Sequence, residues 1–319
     1  MQASISQPES TCQLHFIGFW PDYEQAFFQV AQAQSTQSTQ STQADPLALQ
    51  VFNPLAKTRQ LPSFAKWPRL LRNLFHKRLI ADYIQAHPQA LIVAHEHRLI
   101  LEVLLAKFPQ LKAQVLMRNP LNPNTKTKHL IQSLQALDYT IWSFDLADCA
   151  KYGFKFYRQF IEQLPEVSSQ APQYDFAFVG RNKGRETILQ ALETELKAQG
   201  YSVLFDIRSD QAKGIKANVS YLAYLQAYLS ARCMIDVTQT GQVGLTLRPL
   251  EAMTYQRKLL TNNALIQQEA FYHPANVFMF DENLDLSGLK AFMQQPYSPI
   301  AADTQALYSL ASLTKVLRT

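Results

Sequence analysis

Short apolar runs recur along the first half of the chain, and longer stretches with helical spacing of apolar positions separate them. The runs lie at 14–19, 47–52, 90–94, 113–117 and 139–144, with helical patterns at 24–34 and 98–107. Short apolar runs bounded by turn residues predict buried strands. Strands that alternate with helices are typical of βαβ units around a parallel sheet. The first half therefore predicts a Rossmann-like, doubly wound α/β domain.

The same alternation restarts after a polar segment that ends in Pro172. Strand patterns lie at 174–179, 201–207, 233–237, 258–261 and 276–280, and helical patterns lie at 185–199, 220–229 and 247–255. We predict an N-terminal domain at 1–166, a C-terminal domain at 172–298 and a final segment at 299–319, with a helix over 304–317. The predicted fold class is α/β, with two Rossmann-like doubly wound domains.

A tandem repeat, QSTQSTQSTQ, interrupts the first domain. It holds no apolar residue, so it cannot bury enough surface to offset the entropy lost on ordering. We predict a flexible surface loop at 34–45.

The composition is that of a globular protein from a reducing compartment. The chain has 319 residues, of which 47% are apolar and 17% charged, and this size suits two domains. The start, MQASISQPES, resembles no signal peptide, and no stretch has the roughly 18 apolar residues that a membrane span needs. The three cysteines, Cys12, Cys149 and Cys233, form no Cys-x-x-Cys pair, which argues against disulfides and structural zinc. We expect a cytoplasmic protein.

The net charge of +5 predicts an anionic partner, and nucleic acid, anionic lipid and sugar nucleotides all fit it. Seven Lys or Arg residues and no Asp or Glu lie in the segment 57–78, from Lys57 to Arg78. Apolar residues interleave with them at near-helical spacing, namely Trp67, Leu70, Leu71, Leu74 and Phe75. A basic amphipathic helix of this kind suits the anionic face of a bilayer, and a core-packed helix with a solvated basic face fits equally well. No nucleic-acid-binding module is recognisable, so we expect no nucleic-acid partner.

A first glycine-bearing loop follows the strand pattern 233–237 and reads Gly241-Gln-Val-Gly-Leu-Thr-Leu-Arg-Pro-Leu-Glu251. A strand, a loop and a helix start place free backbone N–H groups and a helix dipole together, which suits a diphosphate. Arg248 would bind phosphate oxygens and Glu251 would accept hydrogen bonds from ribose hydroxyls, and we expect neither to be buried. The candidate donor-binding residues here are Gln242, Gly244, Thr246, Arg248 and Glu251. An ordinary capped helix, with Thr246 as the cap and Glu251 as surface charge, explains the same pattern.

A second loop of this kind reads Phe178-Val-Gly-Arg-Asn-Lys-Gly-Arg185. Its glycines allow a ligand to approach the backbone, and its cations suit an anion. Gly180, Arg181 and Lys183 are therefore further donor-binding candidates. The loop matches neither Gly-x-Gly-x-x-Gly nor the P-loop pattern, and basic residues beside a turn are common without any ligand.

Together these segments resemble a bacterial family of lipopolysaccharide core and capsule biosynthesis proteins, which are regarded as GT-B-type glycosyltransferases. The similarity is strongest at 174–185, 241–251 and 258–263, and extends to 142–153 and 16–22, the last of which also resembles bacterial fucosyltransferases. It implies two domains facing a central cleft, and a C-terminal helix that returns to the N-terminal domain. It also implies that Glu251 holds the donor ribose, with Arg181, Lys183 and Arg248 near the diphosphate. The chain departs from the GT-B pattern in having no glycine from Glu251 to Gln256.

The acceptor hydroxyl needs a base in the N-terminal domain if the reaction inverts the anomeric centre. His95 and Glu96 follow the strand pattern 90–94 and are the first candidates, and Asp22 is the second. Arg118 and Asn119, after the next strand, would bind the acceptor. A polar strand end with solvated imidazoles accounts for the histidines equally well.

The function predicted from the sequence is transfer of a sugar from a nucleotide-sugar donor to a lipopolysaccharide, lipooligosaccharide or capsule glycan, as a glycolipid or an oligosaccharide. No Asp-x-Asp occurs, so the metal anchor of the GT-A class is missing, and we expect neither metal nor cofactor. We expect the protein in the cytoplasm, at the inner face of the plasma membrane. A GT-B-shaped sugar-nucleotide epimerase, which needs carboxylates on both sides of the sugar, and a non-catalytic glycan-assembly scaffold are the alternatives.

Overall fold

The computed structural model describes residues 13–38, 49–54, 64–121, 126–167, 171–209, 219–238 and 244–319. By their contacts, these residues group into two compact units. The first unit comprises the described residues of 1–20, 32–142 and 314–319, and the second comprises those of 21–31 and 143–313.

The first sheet has six strands in the order β2-β1-β3-β4-β5-β6. Their bounds are Leu14–Ile17 (β1), Leu49–Phe52 (β2), Leu91–His95 (β3), Gln114–Leu116 (β4), Thr140–Ser143 (β5) and Lys155–Phe156 (β6). β1 pairs in parallel with both neighbours, so that Leu14 lies opposite Leu49 on one side and Leu91 on the other. The strand order reverses between β1 and β3, which makes this the topological switch point of the sheet.

The second sheet has five strands in the order β11-β10-β9-β7-β8. Their bounds are Tyr174–Arg181 (β7), Val203–Arg208 (β8), Ala231–Asp236 (β9), Lys258–Thr261 (β10) and Val277–Met279 (β11). All the pairs are parallel, and the order repeats that of the first sheet, since the first strand of the unit lies between the second and the third. Its switch point lies between β7 and β9.

Helices connect the strands in both units. The described residues form α1 (Asp22–Ser38), α2 (Arg69–Ala86), α3 (Arg98–Lys107), α4 (Lys126–Gln135), α5 (Leu146–Tyr152), α6 (Glu186–Ala198), α7 (Tyr221–Leu229), α8 (Leu247–Thr254), α9 (Leu289–Gln294), α10 (Ala302–Ala306) and α11 (Leu310–Leu317). In the second unit, α6 packs Leu189, Leu192 and Leu196 on the buried strand residues Phe176 and Phe178. No helix of the described residues is long and apolar enough to cross a membrane.

Every strand that the apolar pattern predicts is present, and the α/β fold class with two parallel sheets is confirmed. The prediction fails where the chain bends back. The single helix expected over 304–317 is two helices, α10 and α11, separated by a turn at 307–309 in which Tyr308 is buried. α1 continues through Ser38, so the first residues of the predicted loop 34–45 are helical, and the rest of that loop lies outside the described residues. The domain limits 1–166, 172–298 and 299–319 stay a prediction.

Candidate functional site

The loops predicted to bind the donor follow β7 and β9, the two strands that flank the switch point of the second sheet. β7 ends at Arg181 and β9 ends at Asp236. Ligands of open parallel sheets bind beyond the carboxyl ends of the strands at such a point. The topology therefore brings Gly180, Arg181, Thr246 and Arg248 into the region where this kind of fold takes its ligand.

A buried aspartate, Asp236, anchors the start of α8. Its Oδ1 accepts a 3.0 Å hydrogen bond from the Thr246 hydroxyl, and the same oxygen lies 3.7 Å from Nη1 of Arg248. Thr246 is also the N-cap, since its hydroxyl accepts a 3.3 Å hydrogen bond from the Arg248 backbone N–H. The capped-helix interpretation of Thr246 is thus correct as local structure.

The Arg248 side chain turns back over β7. Its Nη2 donates a 3.1 Å hydrogen bond to the Val179 carbonyl, and the guanidinium lies 5.0 Å from the centre of the Phe178 ring. Gly180 leaves room for it, because a Cβ at this position would collide with Nη2. Only 14% of the Arg248 side chain is exposed, so Arg248 is partly buried.

Glu251 is buried as well, with 1% of its surface exposed. The Tyr221 hydroxyl donates a 2.9 Å hydrogen bond to Oε1, and the Tyr224 hydroxyl donates one of 2.9 Å to Oε2. Burial raises the pKa of Glu251 to about 7, although Arg248 and the two tyrosines act in the opposite direction. The expectation of an exposed carboxylate is therefore wrong, because the apolar face of α8 turns Glu251 towards α7.

The loop between β7 and α6 is held by Arg185. This arginine is 5% exposed and donates to three backbone carbonyl groups, those of Arg181, Asn182 and Val237. It ties the carboxyl ends of β7 and β9 together, so its charge supports the loop. Lys183 is exposed at the tip of the turn, with a left-handed φ of 48°. Arg181 and Lys183 stay candidates for binding an anion.

Gly244 packs closely against Phe144 and Asp145. Its N–H donates a 2.8 Å hydrogen bond to Oδ2 of Asp145, and an added Cβ would lie 2.8 Å from Phe144 Cδ2. This close approach explains why glycine occupies the position. Gln242, the remaining donor-binding candidate, lies outside the described residues.

In the first unit, four candidates meet at the carboxyl ends of β3 and β4. Oε2 of Glu96 accepts a 3.0 Å hydrogen bond from the Arg118 N–H, and Oε1 accepts one of 2.9 Å from Asn119 Nδ2. Nδ1 of His95 lies 3.2 Å from Oε2 of Glu96, within ion-pair range but not aligned for a hydrogen bond. Trp20, after β1, stacks on the His95 ring at 5.9 Å. The cluster thus lies at the switch point of the first sheet.

Burial distinguishes these groups from solvated strand-end side chains. His95 and Glu96 are each 8% exposed, so the interpretation of solvated imidazoles is wrong for His95. Burial raises the pKa of Glu96, with hydrogen bonds from Asn119 and Arg118 opposing it. His97 is the N-cap of α3, accepting from the Leu99 N–H at 3.3 Å, and burial lowers its pKa to about 4.

Asp22 belongs to the second unit. It begins α1, and its Oδ2 accepts a 2.6 Å hydrogen bond from the Tyr221 N–H at the start of α7. It therefore holds the helix that carries the tyrosines bound to Glu251. The contact with Tyr221 gives Asp22 a structural role. Its role as a base stays a prediction.

The sequence matches no family model and no curated protein sequence. Among solved structures, the chain is similar to the UDP-GlcNAc 2-epimerase from Methanocaldococcus jannaschii, with a TM-score of 0.53, 9% identity, and coverage of 95% of this chain and 100% of that one. Two glycosyltransferases match with lower scores. They are the spinosyn forosaminyltransferase SpnP, at TM-score 0.43, 11% identity and coverage of 97% and 100%, and an alpha-glucosyltransferase in complex with UDP and a 13-mer DNA, at 0.47, 11%, and 96% and 92%.

The fold is GT-B. In the second unit, the N-terminus of α8 and the residues Arg181 and Lys183 lie at or after the carboxyl ends of β9 and β7, at the switch point of the sheet. Each oxygen of Glu251 accepts one hydrogen bond from a tyrosine hydroxyl, and a carboxylate can accept about four in all.

The sequence pattern missed the residues that contact Thr246, Arg248 and Glu251 directly, namely Asp236, Tyr221 and Tyr224. A signal for the tyrosines exists, since Tyr221, Tyr224 and Tyr228 are spaced along one face of a helix. An acidic residue directly after the apolar residues Met234 and Ile235 is the signal for Asp236. Among the described residues, no group of three or more His, Cys, Asp or Glu side chains is arranged to hold a metal ion.

Proposed function

We propose that this chain is a metal-independent glycosyltransferase that moves a sugar from a nucleotide-sugar donor to a lipopolysaccharide, lipooligosaccharide or capsule glycan. It would need no cofactor. The observation that carries the proposal is the position of Thr246, Arg248 and Glu251 on the first turns of α8, directly beyond the switch point of a GT-B sheet. The epimerase of the same fold has UDP-GlcNAc in its name, which supports a nucleotide sugar as the ligand.

In this proposal the second unit binds the donor. The N-terminus of α8 and the side chains of Arg181 and Lys183 neutralise the diphosphate, as helix dipoles and charged side chains do in sites without a metal. Glu251 accepts from the ribose hydroxyls through the lone pairs that Tyr221 and Tyr224 leave open. Gln242 would contribute from the loop before α8.

The first unit would bind the acceptor. His95 is the proposed base, and Glu96, whose Oε2 lies 3.2 Å from Nδ1 of His95, is the acidic group beside it. A base must lie within hydrogen-bond reach of the hydroxyl that it deprotonates. Arg118 and Asn119 would then fix the position of an anionic or hydroxyl-rich acceptor. We place this reaction in the cytoplasm, at the inner face of the plasma membrane.

A transfer assay tests the proposal. The purified protein is incubated with UDP-, GDP-, CMP-, ADP- and dTDP-sugars, with and without a core oligosaccharide, and the products are separated by mass and by sugar isomer. A glycosyltransferase extends the oligosaccharide and releases the nucleotide. An epimerase converts the donor to an isomer without any acceptor, and a scaffold changes neither molecule. Either of the last two results would overturn the proposal.

A further inference from the structure

Helix α2, which begins within the basic segment 57–78, presents large apolar side chains to solvent. Leu70, Leu71 and Leu74 are 70%, 49% and 54% exposed, and Trp67, just before the helix, is 41% exposed. Positions three and four apart share one face of a helix, so these side chains form one stripe. The interpretation of a core-packed helix is therefore wrong for this face. The buried face of α2 carries His76, Ile80, Ala81 and Ile84.

A groove of about 670 Å³ lies beside this stripe, between α2 and the start of α3. Its walls carry four cationic side chains, those of Arg69, Arg72, Lys77 and Arg98. One acidic residue, Glu102, lines it, and that carboxylate already bonds Lys77 at 2.7 Å and Arg98 at 2.5 Å. Arg69 and Arg72 take no part in those ion pairs.

Arg72 points to an anion. Its Nε is buried and has no hydrogen-bond partner within the part of the chain that the structure describes. Leaving a buried N–H of a charged group without an acceptor is unfavourable, because the group has lost its water and gained nothing in return. A phosphate oxygen in the groove would provide such an acceptor, with charge assistance.

We propose that α2 docks on an anionic phospholipid bilayer, with Trp67 and the three leucines inserted among the acyl chains and lipid phosphates in the groove beside Arg69 and Arg72. A nucleic acid would use the cations but not the exposed leucines. A second copy of this chain, docked through its own α2, would place two positively charged surfaces against each other. An anionic bilayer alone complements both features of the surface. The proposal does not depend on the transferase activity.

Sedimentation with vesicles tests it. Full-length protein is mixed with vesicles of phosphatidylglycerol and phosphatidylcholine, or of phosphatidylcholine alone. We expect binding to the first kind and little to the second. Lys66, Arg69 and Arg72 changed together to Gln should weaken binding on the order of 100-fold, since each charge near the surface is worth about fivefold. Leu70→Ser with Leu74→Ser should weaken it about tenfold or more, because inserted apolar surface is lost.

Two matched controls separate this surface from a general effect of charge or apolarity. Lys112, Lys290 and Lys315, all exposed, changed together to Gln remove the same charge elsewhere, and Leu307→Ser removes an exposed leucine elsewhere. Both should bind as the wild type does, and circular dichroism should show all variants folded. Unchanged binding by the α2 variants, or equal loss in the controls, would overturn the proposal. So would equal binding to neutral vesicles, or dimerisation through α2 without vesicle binding. Nucleotide binding, measured on the same samples, reports on the transferase proposal separately.

Discussion

The Tyr221 hydroxyl donates a 2.9 Å hydrogen bond to Oε1 of Glu251, across the space between α7 and α8. Tyr224 makes the corresponding bond to Oε2 from the next turn of α7. A carboxyl group that is 1% exposed is thereby satisfied on both oxygens. The residue that we propose for the donor ribose is therefore also part of the core that joins two helices.

Removal of one of these hydroxyls should destabilise the fold. Tyr224→Phe leaves Oε2 of a buried carboxyl without its donor, and such a loss costs about 1–3 kcal/mol. Urea unfolding followed by circular dichroism measures the change. Tyr272→Phe, at a half-exposed tyrosine, is the matched control and should change stability by less than about 0.5 kcal/mol. Equal stabilities of the Tyr224 variant and the wild type would show that the bond from Tyr224 to Glu251 contributes nothing.

The strands of both sheets except β6 were predictable because apolar runs report burial directly, as at β1, where all four residues are buried. Both residues of β6 are exposed, so no apolar run marks that strand. The environment of Glu251 was not predictable. Its position in the helix suits an exposed charge, and its partners lie 27 and 30 residues earlier in the chain. Asp22 likewise looks like a free acidic residue after a strand, and its partner Tyr221 is 199 residues away. Local pattern fixes elements, whereas such partners depend on tertiary packing.

Gly180 and Arg248 should show strong coupling in a double-mutant cycle. In Gly180→Ala the new Cβ meets the guanidinium that bonds Val179, and overpacking of this kind costs about 1–3 kcal/mol. In an Arg248→Ala background the collision partner is gone, so the same substitution should cost little. Free energies of unfolding for the four proteins give the coupling. Equal costs in both backgrounds would contradict the close contact.

Glu162 should make stability depend on pH. It is 8% exposed, accepts from the Leu310 N–H, and burial raises its pKa to about 7. Because the folded pKa exceeds the unfolded one, the carboxyl's contribution is complete below about pH 4.5 and is lost as the pH rises through 7. Relative to Glu162→Gln, the wild type should therefore lose up to about 3 kcal/mol between these values.

Urea unfolding of both proteins at several pH values measures this difference. Glu195→Gln, at an exposed glutamate, is the control and should parallel the wild type throughout. Parallel curves for the wild type and Glu162→Gln would mean that Glu162 titrates normally in the folded protein.

The acceptor-side cluster should affect turnover and not nucleotide binding. His95→Ala removes the proposed base and Glu96→Gln the group beside it, and a general base contributes about 10²–10⁴-fold. Both variants should keep the nucleotide affinity of the wild type, since they lie in the unit that would bind the acceptor. His129→Ala, at an exposed histidine of α4, is the control and should turn over normally. Normal turnover in both site variants would mean that neither residue is the base. Asp22 would then be the remaining candidate, or the reaction would be a retaining one that needs no such base.

Calorimetric titration with nucleoside diphosphates tests the central claim most directly. UDP, GDP, ADP, dTDP and, as the cytidine representative, CMP are titrated into the wild type, Lys183→Gln and the control Lys197→Gln. We expect one nucleotide to bind clearly better than the others. Lys183→Gln should weaken that binding by about 1.5–3 kcal/mol, the range for hydrogen bonds to charged groups, and the loss should shrink at high salt. Lys197→Gln should bind as the wild type does. Absence of binding by every nucleotide to the folded wild type would contradict a donor site at this switch point.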